Sequence, residues 1–125
     1  MDLQWQRQVE LWLRLMEAPG IPPASQVTLR QNGDTCYLET LEGRALLSLA
    51  RPLPEACRQP ALLRLLTLLH PEAGNGLPLR AWVAHDSLWL AAAPPQDSGA
   101  ELWAQLACQF RRLLDRVTED KHEAQ

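Results

Sequence analysis

The chain is poor in almost everything that a catalytic, metal-binding or nucleic-acid-binding protein displays. Among 125 residues it has three cysteines, three histidines, a single lysine, one Phe and one Tyr. Cys36, Cys57 and Cys108 are odd in number, far apart and without a CxxC spacing. That pattern signals neither a disulfide framework nor a zinc site, and it fits a reducing compartment. His70, His85 and His122 lie on different segments with no partner at metal-ligand spacing. No GxGxxG, Walker or GxSxG motif is present. Gly74-Asn75-Gly76 leads into a strand rather than a helix N-terminus, so it lacks the geometry of a phosphate cradle. Asp34 and Glu42 sit at hairpin tips, where nothing is expected to bury them and tune their acidity. No catalytic, cofactor-binding or metal-ligating residue is assigned, and an enzyme is not expected.

Charge and hydropathy exclude further classes. The net charge of −3 argues against nucleic acid, whose binding normally rests on a basic surface. Arg111, Arg112 and Arg116 read as a solvated helix end, where cations complement the helix dipole. No stretch approaches 18 uninterrupted apolar residues, so no membrane span is expected. The start, MDLQWQRQVELWLRL, has acidic and polar residues where a secretory signal has a basic one, and a cytoplasmic location is expected.

What is present is leucine and tryptophan. Hydrophobic residues make up 46% of the chain, enough for a packed core, and the length suits one domain. We expect that domain over residues 1–118, with 119–125 a polar tail. Trp5, Val9, Trp12 and Met16 recur at helical spacing over 3–17, with Leu11 and Leu15 forming a second apolar edge. Pro19 to Pro23 ends that helix. A three-stranded meander follows, turning at Asn32-Gly33 and Glu42-Gly43. Those two turns independently place Val27, Leu29, Cys36, Leu38, Leu47 and Leu49 on one face. Thr28, Arg30, Thr35, Tyr37, Glu39, Leu46 and Ser48 take the other.

Pro60 reads as the first-turn residue of a second helix that Pro71 stops. Its leucines, including Leu62, Leu65, Leu66 and Leu69, leave only a thin polar stripe, as in a buried or interfacial helix. Next comes a hairpin over Pro78–Ala84 and Leu88–Ala93. With Asp86-Ser87 as its turn, His85 pairs with Leu88, and Trp82 and Trp89 each oppose an alanine. Both faces of this hairpin are apolar, so one covers the core and the other is expected to cover a partner. The competing reading buries both faces between two helix layers of one monomer. Ser98-Gly99-Ala100-Glu101 has the pattern of a capping box for a last helix, whose stripe is Trp103, Leu106, Phe110, Leu113, Leu114 and Val117. The fold class is α+β, in the order α-β-β-β-α-β-β-α.

That order, with NGLPLRAWVAHDSLWLAAA followed by ELWAQLACQFRRLLDRV, resembles the class I chaperones of bacterial type III secretion systems. The segment looks most like SycN-type members, which serve the secretion gatekeeper together with a second chaperone. QNGDTCYLET looks like the family's first hairpin. The resemblance implies a dimer, with itself or a homologous chaperone, through the second helix and adjoining strands: here Leu62, Leu65, Leu66, Leu69, Trp82 and Trp89. It implies binding of the N-terminal segment of a secreted client in extended form, without ATP or any cofactor. Leu11, Leu15, Tyr37 and Leu46, apolar positions outside the expected core, are the candidates for client contact. Alternatives are a homodimeric effector chaperone and a binding protein that sequesters a transcription regulator or anti-activator.

Overall fold

The computed structural model describes residues 2–70, 73 and 76–123. Among these residues three helices and five strands follow the expected order: α1 (Leu3–Leu15), β1 (Gln26–Gln31), β2 (Asp34–Leu41), β3 (Arg44–Pro52), α2 (Glu55–Leu68), β4 (Arg80–Ala84), β5 (Ser87–Ala92) and α3 (Ala100–Glu123). The strands form one antiparallel sheet in the order β1-β2-β3-β5-β4. The fold is α+β, as the element pattern predicts.

The meander has its expected register. Gln31 pairs with Asp34 across Asn32-Gly33, and Leu41 with Arg44 across Glu42-Gly43. Both central residues of each turn have positive φ, between 52° and 85°, which matches the twist of the flanking strands. The face predicted to be apolar is buried throughout. It forms a core with Leu88, Leu90 and Ala92 of β5 and the stripe Trp103, Leu106, Phe110, Leu114 and Val117 of α3. Val9, Trp12 and Leu13 of α1 and Ala61 and Leu65 of α2 complete it. The helices therefore cover one face of the sheet.

Local departures have local causes. The first helix closes before its prolines, in a Schellman arrangement at Glu17 (φ 62°): Glu17 N donates to Arg14 O and Ala18 N to Leu13 O at 2.7 Å. The second helix starts at Glu55, one turn before Pro60, so Pro60 lies inside it and not at its first turn. The capping box does not form. Ser98 Oγ donates to Pro95 O and accepts from Trp103 Nε1, while the Ala100 amide at the start of α3 is satisfied by Gln8 Oε1 of α1 at 2.9 Å. Helix α3 runs on to Glu123, through most of the segment expected to be a tail. Pro71, Gly74 and Asn75 lie outside the described residues, as does the side chain of His122.

Asp34 overturns its expected solvation, being only 2% exposed. Arg51 Nε and Nη2 donate to its two carboxylate oxygens at 2.7 and 2.8 Å. Arg51 also meets Asp115 at 2.8 Å and Thr118 Oγ1 at 3.0 Å, both on α3. Hydrogen bonding to Asp34, against the cost of burial, raises the Arg51 pKa and keeps the guanidinium charged. One bidentate pair thus ties the first hairpin to the third strand and the last helix.

Candidate protein-binding face

The second hairpin differs from its expected register by one step on each strand. The turn is His85-Asp86, with Ala84 paired to Ser87 and Val83 to Leu88. His85 takes a φ of 57°, a conformation that histidine tolerates better than most side chains. A shift that moves both strands keeps every residue on its predicted face but changes its neighbour. Trp82 therefore opposes Trp89 directly, instead of each tryptophan opposing an alanine.

The consequence is a row of aromatics. Trp82 and Trp89 stack with ring centroids 5.8 Å apart and planes 9° apart. Trp89 in turn stacks with Tyr37 of β2 at 5.4 Å and 16°. The intervening β3 permits this because it presents only Ser48 and Ala50 beneath the rings. Two cross-strand rungs organise the face: Thr28, Tyr37, Ser48, Ala91 and Arg80, then Arg30, Thr35, Ala50, Trp89 and Trp82. Ser48, Ala50 and Ala91 are each under 8% exposed, yet none belongs to the core beneath the helices. The aromatic rings bury them from the other side. Leu46 and Leu41 extend the apolar surface toward the Glu42-Gly43 turn, and Leu41 is 65% exposed. No described element of the chain covers this face.

The residues assigned from sequence are thereby regrouped. Tyr37 and Leu46, expected to touch a client, share one surface with Trp82 and Trp89, expected to form a dimer contact. Leu11 and Leu15 belong to α1, on the helix-covered side. Leu11 packs partly against the core, and Leu15 is exposed beside a 470 Å³ cleft with Met16, Gln31 and Cys108. The four client candidates do not form one surface. On α2, Leu65 is fully buried and is a core residue of the monomer. Leu62 and Leu69 pack partly against the core, leaving Leu66 exposed with Leu63, which the sequence reading did not single out. Leu41 was not singled out either, although strand alternation from Tyr37 and Glu39 places it on the same face.

No group of three or more His, Cys, Asp or Glu able to hold a metal occurs among the described residues, and no disulfide joins the three cysteines. Burial pushes the Cys36 thiol up to about 12, the opposite of what a nucleophile needs. No helix is long and apolar enough, among the described residues, to cross a membrane.

Comparison with known proteins agrees with this fold. YbjN from E. coli has a crystal structure that superposes with a TM-score of 0.56 at 13% identity, over 94% of this chain and 92% of that one, a likeness of fold alone. In sequence, the chain is 31% identical over 115 residues to the secretion system apparatus protein SsaM of Salmonella typhimurium (strain LT2), covering 91% of this chain and 93% of that protein. The family model SsaM matches residues 2–117. The chain belongs to the SsaM family.

Proposed function

We propose that this protein is a cytoplasmic binding protein of a type III secretion system, chaperone-like and not an enzyme. It holds the N-terminal segment of a secreted client, gatekeeper or effector, on the open face of its sheet. The observation that carries this reading is the aromatic row Tyr37–Trp89–Trp82, stacked over small residues and left uncovered by the fold. A surface of this kind offers a partner large rigid side chains at little entropic cost. The relative named as a secretion system apparatus protein supports the setting, and the resemblance of the hairpin and last helix to SycN-type chaperones supports the role. A second copy or a homologous chaperone covers the exposed leucines of α2.

The test is recovery of partners from the native host with a tagged chain, wild type against Tyr37→Asp with Trp82→Asp. The expected result is that wild type brings down a secreted protein of the secretion system and the double variant, still folded by cooperative unfolding in calorimetry, does not. Deleting the partner's N-terminal segment should abolish recovery from the other side. Equal recovery by both forms, or recovery that needs only a folded domain of the partner, overturns the reading.

A further inference from the structure

The charges on the open face run against those of the whole chain. The protein carries a net charge of −3. Among the outward positions of its strands, however, Arg30, Arg44 and Arg80 stand against Glu39 alone. Arg44 leans back to Pro94 O at 3.4 Å. Arg30 and Arg80 are exposed, and neither is paired with a carboxylate among the described residues. Their positions are complementary. Arg30 ends the rung that holds Trp89 and Trp82, at the β1 edge. Arg80 ends the rung that holds Tyr37, at the β4 edge. The aromatic row lies between two cations at opposite margins of the sheet.

Resting on the reading of this face as the partner site, we infer that its occupant is an extended apolar segment with an acidic residue at each end. Four strand spacings separate β1 from β4, about 19 Å, which an extended chain covers in roughly six residues. The segment crosses the strands with its apolar side chains against the three rings that cover Ser48, Ala50 and Ala91. Its terminal carboxylates meet Arg30 and Arg80. These margins are solvated, so the charges select the partner and its direction more than they hold it. Segments with lysine or arginine at the same places are repelled.

Two synthetic peptides test this by calorimetric titration. They share one apolar centre of about six residues and differ in their flanks, Asp-Glu or Lys-Lys on both sides. Wild type is expected to bind the acidic peptide roughly threefold to tenfold more tightly at low salt, an advantage that fades as salt is added. Arg30→Gln with Arg80→Gln should bring the two peptides to equal affinity, and Arg30→Glu with Arg80→Glu should invert the preference. Equal binding of both peptides by wild type, binding of neither, or an unchanged preference in the charge variants overturns the inference. The proposed function is judged separately, by the native-host recovery with the Tyr37 and Trp82 variants, which does not depend on flanking charge.

Discussion

Asp34 stands directly after a hairpin turn, a place usually open to water, and its side chain is 1% exposed. A carboxylate so buried is tolerable only while its partner remains, because desolvation of an unpaired charge is expensive. Arg51→Ala is therefore expected to lower the unfolding free energy by about 3 kcal/mol, measured by urea denaturation. Arg111, whose Nε lies 3.7 Å from Asp34 Oδ2, keeps the loss from being larger. The sequence could not reveal this pair. Asp34 and Arg51 are 17 residues apart, and only the meander's closure brings them together. Cys36, by contrast, was legible as a small core residue from its place on the apolar face. Its thiol pKa rises from 9.0 to about 12 on burial. The unfolded chain thus gives up this proton at lower pH than the folded one. The stability due to the neutral thiol is complete below pH 9 and is lost as pH rises toward 12. Unfolding measured across that window should show a decline of up to about 1.4 kcal/mol per pH unit that Cys36→Ala removes.

Among the elements, the most legible were those with glycine in the turn. Asn32-Gly33 and Glu42-Gly43 fix their registers because the second central position needs the left-handed backbone that glycine adopts freely. His85-Asp86 offers no glycine, so the turn residues did not announce the register there. Face membership survived because both strands shifted together; the neighbours did not. The start of α3 was misread for a different reason. Its first amide is capped by Gln8, 92 residues away, so no nearby pattern could announce it. Gln8→Ala should cost about 1 kcal/mol in thermal unfolding, the usual value of a helix cap. Gly99→Ala should cost a similar amount by displacing the same side chain, since a Cβ there would stand 2.6 Å from Gln8 Oε1. Combining the two should add little, because both remove one interaction.

At the scale of the molecule, the sheet is clad by helices on one side and bare on the other. Sequence periodicity separated the two faces correctly, but it could not tell which exposed leucines share a surface, because that depends on how the helices lie. Leu63 and Leu66 of α2 are 63% and 48% exposed. If a second chain covers them, Leu63→Asp with Leu66→Asp should give a monomer by light scattering while binding to the open sheet face persists. Leu11→Asp, which disturbs packing on the core, should instead lower stability.

The stacked tryptophans also give the molecule an optical property. Two indoles with near-parallel planes, 5.8 Å apart, have transition dipoles close enough to couple, so their excitation is shared between them. Such coupling splits the far-ultraviolet band and, where the two transition dipoles are twisted relative to each other, leaves a paired positive and negative signal in circular dichroism, whose size and sign follow that twist. A guest that wedges apart or realigns Trp82 and Trp89 alters that signal without any label. The face proposed to hold the partner is in this way its own gauge of occupancy.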